Sequence, residues 1–317
     1  MTHPNRPTGM FAFTVVWFGQ VVSLFGTAMT QFALTIWAWK LTGSATALAL
    51  VGFFSFGPTV LFSPITEEGR KGQGSLWKEA AYGFRYILER PSLLGVQLVF
   101  FIGNLAASFG FTVLAPMVLV RTNDNSFVLG SVQSAGAIGG VLGVLLLAAW
   151  GGPKRRIDGV LLGHVFMGAL GQMLMGLAAG PVLWLSSSFF GGLIIPTVNG
   201  SNQALWQSKV APDVQGRVFS VRRMIAQISS PVSMLLAGPL ADRFFTPAMM
   251  AGGGLAPAFG WMVGVGPGAG MALMLVIGGA VSALAGLAGY AFPAIRNVEA
   301  RLPDHQALPM PLAGAVD

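Results

Sequence analysis

Cysteine is absent from the 317 residues, which excludes a disulfide frame, a thiolate zinc site and a cysteine nucleophile. Histidine occurs three times, and His3, His164 and His305 are too scattered to suggest a metal cluster. Charge is scarce too. Only 9% of residues are charged, against about a quarter in a soluble domain, while 54% are hydrophobic. A water-facing surface could not be covered, so the solvent is lipid. The net charge of +7 would suggest a nucleic-acid partner in a soluble chain. Here lysine and arginine fall into short gaps between apolar runs, where they orient a protein in a bilayer, and no nucleic acid is expected. HExxH, GxSxG and P-loop signatures are lacking, as is an intramembrane carboxylate pair. The expectation is a chain that is not an enzyme and holds no metal or cofactor.

What is present is long apolar runs. A membrane-crossing helix needs about 20 predominantly apolar residues, and eight stretches qualify: Phe11 to Trp39, Ser44 to Ile65, Leu93 to Val120, Phe127 to Trp150, Gly159 to Ala178, Val182 to Leu205, Met224 to Leu240 and Gly270 to Phe292. The seventh is the shortest. The first is too long for a secretory signal core of about 7–15 residues and is read as a retained span. The fold class is therefore all-α, a polytopic helical membrane protein of about eight transmembrane helices. One side of the membrane receives Arg6, then Arg70, Lys71, Lys78, Arg85 and Arg90, then Lys154, Arg155 and Arg156, then Lys209, Arg217, Arg222 and Arg223, then Arg296 and Arg301; the other has only Lys40, Arg121 and Arg243. The positive-inside rule makes both termini cytoplasmic.

The polar interruption from Thr66 to Pro91 divides two spans from six. Its second half, Ser75 to Arg90, puts Trp77, Ala81, Phe84 and Leu88 on one helical face, with Pro91 as the stop. The segment is expected to lie on the inner membrane surface, an ordinary solvated connector being the alternative. The uncharged stretch Phe244 to Pro267 suits an interfacial or partly re-entrant lid on the outer side, with Phe259 and Trp261 at the interface. The tail after Arg301 is expected to be disordered. In the fourth span Gly136, Gly139, Gly140 and Gly143 lie on one face, Gly136 and Gly140 in GxxxG spacing, and permit close helix packing. The expected organisation is a two-span unit over 1–65, a connector over 66–91, a six-span unit over 92–295 and a tail over 296–317.

The chain also matches itself weakly at an offset of 80, where Leu41-Thr42-Gly43-Ser44 corresponds in layout to Arg121-Thr122-Asn123-Asp124, each between two spans. Parallel repeats of this kind are a transporter device. The stretches Gly19-Gln20-Val21-Val22-Ser23-Leu24-Phe25-Gly26, Leu41-Thr42-Gly43-Ser44-Ala45, Gly152-Pro153-Lys154-Arg155-Arg156, Pro212-Asp213-Val214-Gln215-Gly216-Arg217-Val218 and Ala237-Gly238-Pro239-Leu240-Ala241-Asp242-Arg243 resemble, in that order, segments of major facilitator superfamily exporters of the macrolide-efflux and enterobactin-exporter-like group. The helix from Trp77 to Pro91 is similar to that family's central connector. The resemblance implies a secondary transporter with its cavity between two six-helix halves. It also implies a departure, because Pro64-Ile65 runs directly into Thr66-Glu67-Glu68 where the family continues with a Gly-x-x-x-Asp-Arg loop. The family's third to sixth helices are then absent, giving a truncated major facilitator fold that works, if active, as a homo-oligomer. Export of a small amphipathic compound across the inner membrane, driven by the proton-motive force, is the first reading. A non-transporting remnant or a membrane scaffold subunit is the alternative.

Uncharged polarity marks the spans. Gln20, Gln31, Gln97, Asn104, Gln133, Asn199, Asn202 and Gln227 are the substrate-cavity candidates, since amides hydrogen-bond a ligand in either polarity; hydrogen bonding between helices is the competing role. The resemblance favours Gln20, Asn104, Asn199 and Asn202. Asp213, Arg217 and Arg222, with Arg223 nearby, are candidates for an inner gate. Asp242, beside Arg243, is the nearest candidate for a coupling acid, with an ion pair or helix-end anchor as its competitor. His164 could titrate near neutral pH, but a packed, hydrogen-bonded histidine is the commoner outcome.

Overall fold

Residues 9–62 and 76–305 are described by the computed structural model, and every regular element among them is a helix. We label them α1 Gly9–Thr42, α2 Ala45–Phe62, α3 Leu76–Leu88, α4 Pro91–Arg121, α5 Ser126–Trp150, α6 Arg156–Leu177, α7 Pro181–Lys209, α8 Gln215–Ala248, α9 Ala256–Val263 and α10 Ala269–Ala291, followed by two single turns, Pro293–Arg296 and Val298–Arg301. Seven are long and apolar enough to cross a membrane, namely α1, α4 to α8 and α10. The apolar part of α2, Ala45–Pro58, is shorter, so the eighth expected span is approximate; residues 63–65 of its expected range lie outside the described residues. The polytopic helical class holds.

The seventh expected span is corrected most. Rather than the shortest it is, with α1, one of the two longest helices among the described residues, 34 residues from Gln215 to Ala248. Arg222 does not end the helix. Its guanidinium lies 5.4 Å from the Trp206 ring and 5.3 Å from that of Phe219, so the helix continues past a charge held among aromatic side chains. At the other end a π-helical stretch, Ala241–Phe245, carries it beyond Asp242 and Arg243.

A small buried core of Phe100, Val160 and Val198 and two large ones hold the described helices together. The one at the end that carries most arginines, the basic end, joins α3, α4, α6, α7, α8 and the final turns through Ile87, Leu93, Val96, Leu161, Leu205, Trp206, Val218 and Ile295. The one at the opposite end joins α1 and α2 to the rest through Ala38, Trp39, Ala45 and Leu48 against Val113, Leu129, Val132 and Ala237. None of the described side chains of α1 or α2 belongs to the basic-end core. Among the described residues the two-helix unit thus joins the core at the end away from the arginines, and the candidate cavity lies beside it.

Glycine sets the closest helix contact. A Cβ on Gly139 would collide with the Phe189 carbonyl oxygen, one on Gly143 with that of Leu193, and one on Gly192 with that of Gly136. The expected glycine face of α5 thus packs against α7, with Gly192 as its counterpart. Gly140, the partner of Gly136 in the GxxxG spacing, makes no such contact.

The repeat shows in the turns. Gly43 and Asn123, equivalent at the offset of 80, both take positive φ, 57° and 50°, which ends α1 and α4 with left-handed residues. The connector is helical and ends before Pro91, and the face it turns to the bundle is a different one from the apolar face expected to lie on the membrane. Gly83, Tyr86 and Ile87 are buried while Ala81, Phe84 and Leu88 are exposed; the side chain of Trp77 lies outside the described residues. The cause is Gly83, whose missing Cβ lets α3 approach α8: an added carbon would sit 2.6 Å from Val221 Cγ2 and 2.7 Å from the Arg217 oxygen.

The first residues of the tail are anchored, also against expectation. Buried Lys209 donates to the carbonyls of Glu299 at 2.7 Å and Leu302 at 2.6 Å and pairs with Asp304 at 2.9 Å. Glu299 in turn accepts from the amides of Arg156 and Ile157, capping α6. The Lys209 ammonium holds the exposed Asp304 carboxyl below its ordinary value, so this pair is intact above the ordinary carboxylate pKa of about 3.9 and is lost as pH falls below it. Lys209→Met, which strands two carbonyls, is expected to cost about 2 kcal/mol and to expose residues 293–305 to protease. Asp304→Asn, at an exposed pair, is expected to change stability by under about 1 kcal/mol. Equal protection of both variants in limited proteolysis would contradict this account of the clasp.

Candidate functional site: a cavity beside the two-helix unit

Two hollows meet at Phe111, Leu114 and Gln133, which line both. The first, about 270 Å³, lies between the two-helix unit and the bundle: Gln31, Phe32 and Thr35 of α1 and Gly52 and Phe56 of α2 face Thr112 of α4 and Met234 of α8. The second, about 410 Å³, extends into the bundle between α4, α5, α6 and α7, where Met167, Gln172, Ser187, Ser188 and Ile195 line it. Walls of apolar and aromatic side chains with a few amides and hydroxyls suit a small amphipathic molecule.

Local backbone shape builds the second hollow. In α6, Met167–Met173 is a π-helical stretch, and such wide turns release a backbone carbonyl from the ordinary ladder. Ser187 takes up this polarity, donating to the oxygens of Leu170 and Gly171 at 2.7 and 3.0 Å. Gln172, in the same stretch, donates to the Ala106 oxygen at 2.7 Å. It fits there because Gly110 and Gly278 leave room: a Cβ on Gly278 would lie 2.8 Å from Gln172 Nε2, and one on Gly110 would collide with it.

The expected cavity residues divide into three groups. Gln31 and Gln133 come together in the hollow. Gln97 and Asn202 are buried among helices instead; Gln97 donates to the Arg222 oxygen at 3.4 Å, and the side-chain nitrogen and oxygen of Asn202 have no hydrogen-bond partner among the described residues. Gln20, Asn199 and Gln227 are exposed and Asn104 is half-buried, and none of the four lines either hollow. Gln172, Ser187 and Ser188 were missed. Gln172 carried the same signal as Gln133, an uncharged amide in an apolar span.

The gate candidates face the basic end. Arg217 stands 5.3 Å over the Tyr82 ring of α3, Arg222 donates to Gln203 Oε1 at 2.7 Å, and Asp213 and Arg223 are exposed. At the far end Arg243 is exposed, and Asp242 reaches α2: its carboxylate accepts from Ser44 Oγ at 2.6 Å, Thr46 Oγ1 at 2.7 Å and the amides of Ala45 and Thr46 at 3.1 and 2.8 Å. His164 is packed but not hydrogen-bonded. It is buried edge-on to Phe100 at 5.7 Å, and neither ring nitrogen has a partner among the described residues. Gly103 makes room for the ring. Among the described residues no group of three or more histidine, aspartate or glutamate side chains could hold a metal.

In the far-end turns, Trp39 Nε1 donates to Asp124 at 2.6 Å and Arg121 donates to the oxygens of Val263 and Ala178. The expected lid is thereby resolved into parts. Phe244 to Ala248 continues α8, and the rest is a set of turns with α9. Trp261 is 84% exposed.

The sequence is similar to that of macrolide efflux protein A from two organisms. It is 31% identical to the Streptococcus pyogenes protein over 109 residues, 34% of this chain and 27% of that protein. It is 25% identical to the Enterococcus faecalis protein over 210 residues, 64% of each. The chain thus spans less than two thirds of the length of these relatives. No family model and no solved structure matches it. The resemblance to the macrolide-efflux group, expected from the motifs, is borne out.

Proposed function

We propose that the chain is a secondary transporter of the major facilitator type that exports small amphipathic compounds, macrolides among them, by alternating access. The observation that carries this reading is the hollow between the two-helix unit and the bundle, where Gln31, Phe32 and Phe56 face Phe111, Gln133 and Met234. A compound with an apolar body and a few polar groups finds aromatic faces there and amides of either polarity. The relatives named for macrolide efflux support the same class. The basic residues put the arginine-rich end and both termini in the cytoplasm of a cell with this protein in its inner membrane, and the proton-motive force supplies the drive. The two-helix unit stands where the resemblance implies six helices, and a second copy of the chain lines the remaining side of the cavity.

Because the chain lacks cysteine, a single introduced one is reactive alone. Thr35→Cys places a thiol in the hollow. A maleimide is expected to label it, and a macrolide added first is expected to slow the labelling at least about fivefold. Labelling that no macrolide or other amphipathic compound slows would remove the hollow as the binding site.

A further inference from the structure

Two helix starts at the far end are capped in different ways. That of α5 is capped locally, Asn125 accepting from the amides of Phe127 and Val128. That of α2 borrows its carboxylate from α8, Asp242 accepting four bonds from Ser44, Ala45 and Thr46. The first amides of a helix need acceptors and favour a negative charge. A cap taken from another helix makes that need a docking force. Gly238, one turn before Asp242, brings the two backbones together, since a Cβ there would lie 2.7 Å from Thr46 Cα. The second polar tie, Trp39 to Asp124, is at the same end. Among the described residues the basic-end core contains none from α1 or α2.

We infer that the Asp242 carboxylate is a latch: its bonds to the start of α2 hold the cavity closed at the end away from the arginines, and their release opens it there. The inference rests on the alternating-access reading and adds the residue that controls one of its two faces. Small hydroxyls and amides suit this task, because water can replace them when the units part, whereas the apolar contacts beside them close on docking. Breaking charge-assisted bonds that exist in one state shifts the population toward the other.

The test uses the full chain with paired spin labels on introduced cysteines. Leu41→Cys with Trp261→Cys reports the far end; Phe54→Cys with Leu88→Cys reports the basic end; all four positions are exposed. The latch is removed by Asp242→Asn, or by Ser44→Ala with Thr46→Val, which keeps the carboxylate and decides the matter if the first variant fails to insert. Both are expected to raise the ratio of long to short distances at the far end about tenfold and to shorten the basic-end distance together with it. A far end that stays as in the parent would overturn the latch. So would a far end that loosens while the basic end does not move, since a merely structural cap does that. Coupled motion in a chain that carries no macrolide would keep the latch and remove the transporter reading.

Discussion

Gly139→Leu is expected to leave little folded protein in the membrane. A side chain at this position meets the Phe189 carbonyl, part of a helix that cannot yield without moving α7. Overpacking of a close contact costs typically about 1–3 kcal/mol and more where the obstacle is backbone, a large share of a marginal total of about 5–15 kcal/mol. The damage would spread to the cavity, because Gly136 and Gly192, in the same seam, line it. Gly140→Ala is the control: the nearest atom to its added carbon is 4.0 Å away, and the yield of monodisperse protein should match the parent. Equal yields for Gly139→Leu and Gly140→Ala would show that the seam is not what fixes α5 against α7.

Gln31→Leu with Gln133→Leu is expected to lower transport about a hundredfold, roughly tenfold for each lost hydrogen bond of about 1 to 1.5 kcal/mol, with folding unchanged. Gln133 lines both hollows, so its single change should be the more damaging. Asn199→Leu, outside both hollows and exposed, should leave transport within about twofold of the parent. Efflux from cells loaded with a radiolabelled macrolide measures all three. A loss caused by Asn199→Leu and not by Gln133→Leu would move the pathway to a different face.

The helices were legible because lipid imposes long apolar runs, and the turn ends because Gly43 and Asn123 occupy places that favour left-handed backbone. The length of α8 was not. A hydropathy window counts Arg222 as a charge in lipid, whereas in the bundle it is stacked on Trp206 and Phe219. The side of α3 that meets the bundle was not legible either, since apolar periodicity ranks side chains and Gly83, which has none, decides that contact. At the candidate site, Gln31 and Gln133 could be named from their residue type and span but not separated from Gln20 or Asn199. That separation depends on which helix faces come together. The role of Asp242 was hidden most deeply. Adjacency suggested Arg243 as its partner, with a helix-end anchor as the other reading, but neighbours in a helix point apart, and its actual partners are 196 to 198 residues away in the chain.

The purified chain, reconstituted without other proteins into liposomes holding a proton gradient and offered a radiolabelled macrolide, tests the account most directly. The account predicts gradient-dependent accumulation that Gln31→Leu with Gln133→Leu abolishes. Monodisperse, inserted protein that accumulates no more label than empty liposomes, for any amphipathic compound tried, would contradict it.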